Sequence, residues 1–398
     1  MSRVTSAGAL RPGGVRVRRI DPGPEVRDPI ISSVDVHVFR APIPTPVVNS
    51  FGAITDRPMA LVRIADSDGI AGWGEIWCNF PSVGAEHRAR LGTSVFAPLL
   101  IGAPASDPEA HFTRLSRGVA AQILQTGEPG PFAQCLAAID QALTDLAARR
   151  AQMPLWRHLG GVSAKVRVYA SGIGPDDVET IATQHWQKGF RAFKLKIGFG
   201  RERDLANLDA MRRTLPGTAT LMTDANQAWS ATEAASMARE LASYKLAWLE
   251  EPIAADAPWA AWQSLAAAAP MPLAAGENLR GESAFEAAIA SRSLGVLQPD
   301  IGKWSGFSRG VAIGRHAVAA GMRFCPHWLA GGVGLMASLH LLAAVGGAGL
   351  AEWDANPNPL RERFPLPGVV DGAITLPDAP GLGFEPDLGA LSEFAVAA

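Results

Sequence analysis

Seven short apolar runs in the second half of the chain each end on side chains that can carry charge or bind a proton. They close in turn on Lys194 with Lys196, Asp224, Glu250, Glu277, Asp300, His327 and Glu352. From Lys194 the successive steps are 30, 26, 27, 23, 27 and 25 residues, each long enough for one helix and two short loops. Side chains two apart on a strand share a face, so Lys194 and Lys196 point the same way, as do Asp224 and Asn226. Two ammonium groups side by side repel, and a nearby cation adds to this. Both effects favour a neutral lysine able to act as a base. Asp224, Glu250 and Glu277 offer three hard oxygen ligands on consecutive strands, a set that suits Mg²⁺ and leaves positions for water and a substrate carboxylate. Asp300 can orient the His327 imidazole and raise its pKa. Such a set suits removal of a proton α to a carboxylate, because a metal and ammonium groups stabilise the anionic enediolate that forms.

Taken singly, most of these residues have a plainer reading. A lone lysine or glutamate at a strand end is usually a solvated loop charge, and a lone histidine is often a satisfied core residue. The shared register carries the functional reading, because sites on parallel barrels form at strand C-termini. Lys303 and Trp304 follow Asp300 and either line the pocket or pack. His340 lies in a helical pattern and reads as structural. Trp73, Trp156, Trp248 and Cys325 read as core.

The elements that position these groups follow from periodicity. Residues 33–39 alternate like a strand, and 59–64 and 70–76 read as two more, joined by the turn Asp66-Ser67-Asp68-Gly69. Helical patterns cover 85–101, 107–124 and 131–150. Residues 30–160 therefore read as an α+β domain, completed by about 372–398. From Val166 strand and helix alternate, with helices over 177–188, 203–214, 231–243, 257–269, 283–291, 306–320 and 334–345. Eight such units over 161–371 imply a closed parallel barrel. An open doubly wound sheet would normally carry GxGxxG after its first strand, which this chain lacks.

Composition bounds the class. The chain has 398 residues, 48% hydrophobic and 19% charged, with net charge −2, so bulk charge points to neither nucleic acid nor an anionic membrane as partner. Three cysteines without a CxxC argue against a disulfide framework or a zinc-thiolate site. No apolar stretch reaches the roughly 18 residues of a transmembrane helix, and the cytoplasm is the expected compartment. Residues 1–29 carry Arg3, Arg11, Arg16, Arg18 and Arg19 with no apolar periodicity, and read as a flexible tail.

The ordered motifs resemble the enolase superfamily, in its mandelate racemase and muconate lactonizing enzyme branch. They are Ala138-Ile139-Asp140-Gln141-Ala142-Leu143, Pro154-Leu155-Trp156 with Leu159-Gly160-Gly161, Lys194-Leu195-Lys196, Asp224-Ala225-Asn226, Glu250-Glu251-Pro252 and Gly276-Glu277-Asn278. The resemblance covers roughly residues 30–395. It implies a modified (β/α)₇β barrel capped by an N-terminal α+β domain, and Mg²⁺ held by Asp224, Glu250 and Glu277. By position it makes Lys196 the base, with Lys194, Asn226 and Glu352 on the substrate and the His327–Asp300 dyad as in the mandelate racemase subgroup. Two departures stand out. Thr144 replaces a common aromatic, and the run Pro326–Gly332 looks more like the subgroup's hydroxy-acid and sugar-acid dehydratases than its racemase.

The expected function is a Mg²⁺-dependent dehydratase converting a hydroxy or sugar acid to a 2-keto acid. A racemase or epimerase using Lys196 and His327 on opposite faces is the alternative. A silent barrel would lack some of these groups, and none is missing. A zinc hydrolase would be expected to offer His-x-His after the first strand, where this chain has Tyr169-Ala170-Ser171. The expected partner is a small carboxylate, and a homo-oligomer is expected. Two loops are candidates for specificity, Pro44–Asp56 with Phe51 and Gly52, and Asn79–His87.

Overall fold

The computed structural model describes residues 28–49 and 52–397. The Arg-rich tail, up to residue 27, and Phe51 lie outside the described residues. The chain opens with an antiparallel sheet in the order β1 (Ile31–Asn49), β2 (Gly52–Asp66) and β3 (Ala71–Ile76). Both faces of this sheet are buried. Val38, Ala60, Val62, Ile64 and Ile76 pack on the helix Pro129–Arg150 and its neighbours, while Phe39, Met59, Leu61 and Trp73 join the core shared with the barrel. Gly72 and Gly74 let β3 lie directly on that helix, because a Cβ at either would collide with the carbonyl oxygens of Ala142 or Ala138. The segment 44–56, expected as a loop, is strand in its described residues 44–49 and 52–56, where β1 and β2 continue to pair through Val47 opposite Ile54. The alternation of the apolar residues did not extend that far, so no periodicity announced the strands.

The second unit is the expected barrel. Its strands are β4 (Lys165–Ile173), β5 (Ala192–Lys196), β6 (Thr220–Asp224), β7 (Leu249–Glu250), β8 (Leu273–Ala275), β9 (Val296–Leu297), β10 (Arg323–Phe324) and β11 (Ala351–Asp354). Parallel ladders run in the order β10-β9-β8-β7-β6-β5-β4-β11, and the ring closes where Leu350 N–H reaches Cys325 Sγ at 3.4 Å. A short β12 (Ala373–Thr375) pairs antiparallel with β4. The chain returns to the cap after β12: Leu382 N–H donates to Asp145 Oδ1, Glu385 Oε1 accepts from the Trp73 indole N–H, and Val396 N–H donates to Val38 O. Among the described residues no helix is long and apolar enough to cross a membrane.

Strand parity explains why the charged residues converge. Tyr169, Ala192, Met222, Trp248, Ala274, Val296, Cys325 and Leu350 form one apolar layer inside the barrel. Their odd neighbours Phe193, Leu195, Leu221, Leu249 and Leu273 face outward onto the helices. Two residues beyond the layer, on the same inward face, come Ser171, Lys194, Asp224, Glu250, Gln298, His327 and Glu352. Glu277 breaks this parity. Gly276, at φ +152°, turns the chain where a Cβ would sit 2.6 Å from the Gln298 backbone, and that turn brings Glu277 to the same layer.

Candidate active site

The charged layer is fully internal. Lys194, Asp224, Asp300 and Glu352 have no exposed surface, and His327 and Glu277 keep 3% and 7%. In the register, Lys196 lies opposite Asp224 and Asp224 opposite Glu250. Lys196 Nζ donates to Asp224 Oδ2 at 2.5 Å and to Asn226 Oδ1 at 2.9 Å. Lys194 Nζ donates to both oxygens of Glu250 at 2.8 Å and pairs with Glu352 Oε1 at 2.8 Å. His327 Nδ1 meets Asp300 Oδ2 at 2.6 Å, and its Nε2 meets Glu277 Oε2 at 2.5 Å.

These pairings set the protonation states. Burial, the largest influence, would lower the Lys196 pKa, but Asp224 beside it, with Glu277 and Glu250, together outweigh burial and Lys194, so the pKa is raised. This corrects the expected neutral lysine: the carboxylate between the two ammonium groups counts for more than their mutual repulsion. Burial likewise opposes protonation of His327, yet Glu277, Glu352 and the Asp300 hydrogen bond push it up to about 10. Burial, then neighbouring carboxylates, drive Glu250 up to about 7 and Glu251 up to about 8.

Among the described residues no three carboxylates, imidazoles or thiols stand together so as to hold a metal ion as placed. Each of the three expected ligands is already paired: Asp224 with Lys196, Glu250 with Lys194 and Gln298, and Glu277 with His327. The donor chemistry nonetheless fits a divalent cation. Three buried carboxylates stand on consecutive strands, a set of hard oxygen donors, and burial with the neighbouring carboxylates raises Glu250 and Glu251.

A cavity of about 320 Å³ opens above this layer. Its barrel wall is Lys196, Asn226, Glu277, Asn278, Lys303 and His327, and its cap wall is Val47, Ile54, Arg57, Trp77, Asn79 and Phe80. Both loops chosen for specificity thus contribute, through Val47 with Ile54 and Asn79 with Phe80. Two residues expected on the substrate do not line it. Lys194 and Glu352 bond to each other beneath the cavity, and Glu352 also accepts from Ser171 Oγ at 2.5 Å and Trp328 N–H at 3.1 Å. They brace the floor. Lys303 reaches the cavity, whereas Trp304 packs against the core.

Sequence reasoning missed several groups. Gln298, which donates to Glu250 at 2.6 Å, and Ser171 stand two residues from interior positions, so strict parity counting would have found them. Glu251 accepts from Asn278 Nδ2 and Gln227 Nε2, and with φ +36° it holds a conformation rare outside glycine. Arg57, paired with Asp354 at 2.9 Å, carried no local signal. His340 is structural as expected: burial lowers it to about 4, and its Nδ1 accepts from Trp156 N–H.

Comparison with known proteins extends over nearly all of the described chain. Residues 33–160 match the family model "Mandelate racemase / muconate lactonizing enzyme, N-terminal domain", and residues 177–390 match "Enolase C-terminal domain-like". D-galactarolactone cycloisomerase of Agrobacterium fabrum is 31% identical, over 92% of this chain and 98% of its own. Arabinonate dehydratase of Saccharolobus solfataricus is 27% identical, over 86% and 92%. A solved mandelate racemase/muconate lactonizing enzyme from Bordetella bronchiseptica RB50 is 50% identical over 92% of this chain and 99% of that one, with a TM-score of 0.85. A racemase from Streptomyces coelicolor A3(2), solved with bound magnesium, is 29% identical over 92% and 100%, with a TM-score of 0.84.

Proposed function

The chain belongs to the enolase superfamily, in its mandelate racemase/muconate lactonizing enzyme family, and on that premise we propose that it is a Mg²⁺-dependent dehydratase of a hydroxy acid or sugar acid. The family's chemistry, abstraction of the proton α to a carboxylate, is this chain's as well. The observation that supports a base and an acid flanking one carbon is that Lys196 and His327, from the second and seventh barrel strands, line one small cavity beside three buried carboxylates.

Asp224, Glu250 and Glu277 would hold Mg²⁺, which supplies positive charge to a substrate carboxylate as that group gains electron density. Lys196 Nζ takes the α-proton, and the C–H electrons pass into the enediolate. For this it must first shed its own proton, so release from Asp224 is part of its activation. His327, held by Asp300 through Nδ1, gives its Nε2 proton to the β-hydroxyl. That C–O bond breaks, water departs, and the enol left behind becomes a 2-keto acid. The likeness of Pro326–Gly332 to the subgroup's dehydratases favours this reading, as does the 27% identity to an arabinonate dehydratase. The racemase or epimerase alternative uses the same two residues, and the 31% identical cycloisomerase adds a third possible outcome.

One experiment separates them. The protein is incubated with Mg²⁺ in D₂O against a panel of hydroxy and sugar acids. A 2-keto acid formed with loss of water, carrying solvent deuterium at the former β-carbon, is the expected result. Inversion without water loss makes it a racemase or epimerase, and an isomer of unchanged mass with a new ring makes it a cycloisomerase. If no acid in the panel exchanges its α-proton, the reading is wrong.

A further inference from the structure

Lys303 is 94% buried, being 6% exposed, yet among the described residues no carboxylate pairs with its ammonium. Its Nζ sits 4.5 Å from the centre of the Trp77 ring and makes one long contact, 3.5 Å, to Asn278 Oδ1. An ammonium has three N–H donors, and a buried cation without acceptors is costly. The Trp77 indole N–H beside it is buried and has no acceptor among the described residues. Both residues line the cavity that Lys196 and His327 line. Two donor groups, one from the barrel wall and one from the cap wall, thus lie side by side, in a site that already has its own lysine and three carboxylates for the reacting end of an acid.

The position of Lys303 is fixed. It lies in the turn Ile301–Ser305, whose start is held by Asp300: Oδ1 accepts from Gly302 N–H at 2.7 Å and Lys303 N–H at 3.1 Å. The other oxygen, Oδ2, holds His327. One carboxylate therefore sets both the imidazole and the backbone that carries the spare ammonium. A cavity of about 320 Å³ is at the small end of the roughly 300–1,000 Å³ of ligand pockets, so both ends of a short ligand meet its walls.

We propose that Lys303, braced on Trp77, is an anion subsite for a second carboxylate, so that the substrate is a hydroxylated dicarboxylate rather than a monocarboxylic acid. This rests on the acid-dehydrating reading above and deepens it. A neutral hydroxyl would accept one hydrogen bond there but add no charge opposite the ammonium, which among the described residues faces only Glu277, itself paired with His327. Trp77 supports the ammonium through its ring face and would hold it in place while the substrate is absent.

The test uses matched pairs differing only at the far end: tartrate against threonate, xylarate against xylonate, and galactarate against galactonate. Binding to the Mg²⁺-loaded protein is measured by calorimetry, with α-proton exchange followed in parallel. In at least one pair the dicarboxylate should bind about tenfold or more tightly, the scale of one hydrogen bond to a charged group. Lys303→Met should bring that ratio to within about threefold of unity, and Lys303→Arg should keep it. Equal binding within every pair, or a preference that survives Lys303→Met, overturns the subsite. So does an equal loss for both members of a pair, since Lys303 would then merely balance Glu277. Preferred binding and exchange of the monocarboxylates would end this proposal and leave the acid-dehydrating reading intact. If no acid of either kind binds or exchanges, both readings fail together.

Discussion

At the mouth of the barrel, buried carboxylates meet side-chain cations; along the seam under the cap, they meet backbone N–H groups. Asp224, Glu250 and Glu277 are held by Lys196, Lys194 and His327. In the seam, Asp140 Oδ2 accepts from Phe307 N–H at 2.6 Å and Ser308 N–H at 2.9 Å, at the start of the helix Gly306–Ala319. Glu75 accepts from Gly331 N–H at 2.6 Å and Gly334 N–H at 2.8 Å, at the start of the helix Gly332–Val345. A lysine on four methylenes can swing aside when another cation or a substrate arrives. A helix N-terminus cannot, and its unpaired N–H groups and dipole favour a fixed anion. The mouth is thus built for exchange and the seam for position. The seam also clamps the loops after the sixth and seventh barrel strands, which carry Asp300, Lys303 and His327.

The largest expected effect breaks the mouth alone. Removing divalent metal by chelation should abolish turnover, and Mg²⁺ should restore it. Thermal unfolding should shift little, because Lys196–Asp224 and His327–Glu277 neutralise the carboxylates in the meantime. A protein that unfolds on chelation would make the mouth structural and erase the contrast with the seam.

Next come the two groups assigned to proton transfer, tested at saturating Mg²⁺. Lys196→Ala should lower both α-proton exchange with D₂O and product formation by about 10²–10⁴-fold. His327→Asn should lower water loss by a similar factor and leave exchange in place. The reverse pattern, with exchange lost in His327→Asn and kept in Lys196→Ala, would exchange their roles.

The contrast also explains what the sequence reveals. The mouth is legible because its residues obey two simple periods, two along each strand and about 26 along the chain, and because Lys-x-Lys and Asp-x-Asn announce a shared face. Glu277 escapes the strand period but keeps the chain period, through the turn at Gly276. The seam is nearly silent. Asp140 and Glu75 act through backbone groups more than 160 residues away, and nothing local to either marks its partner. The protonation of Lys196 was misjudged for the same reason: its register opposite Asp224 is a long-range fact, whereas the Lys194 repulsion is visible two residues away. Thr144, the departure from the helix motif, turns out to bond Asp140 O at 2.7 Å within its own helix. The far ends of β1 and β2 read as loop in the sequence because the strands outlast their alternation.

Breaking the seam should cost stability first. Asp140→Ala removes the acceptor for the buried Phe307 N–H, the half-buried Ser308 N–H and the Ser308 hydroxyl. A lost cap together with unsatisfied donors predicts a loss of about 2–4 kcal/mol in denaturant unfolding. At temperatures where it remains folded, the variant should retain α-proton exchange within a few-fold of wild type. A stable variant that has lost exchange would mean the seam acts on the chemistry rather than on the fold.

The smallest effect is a pH dependence. Burial, opposed by its backbone hydrogen bonds, pushes Glu75 up to about 7 from an ordinary 4.5. A raised carboxyl pKa in the folded state means that the folded protein holds its proton more tightly than the unfolded chain does. The stability this contributes is fully present below about 4.5 and is lost as pH rises through about 7. Asp140 and Asp145, both pushed by burial to about 6, share that sign, and His340, lowered to about 4, has the opposite one. A single melting curve against pH would mix these with other shifted groups such as Glu250 and Glu251. The comparison with Glu75→Gln removes the others, since they are common to both proteins. The amide changes hydrogen bonding by an amount that does not vary with pH. The difference in Tm, wild type minus variant, should therefore fall between pH 5 and 8, by a few degrees at most. A flat difference across that range would show that Glu75 is already ionised at pH 5, held by the helix N-terminus strongly enough to overcome its burial.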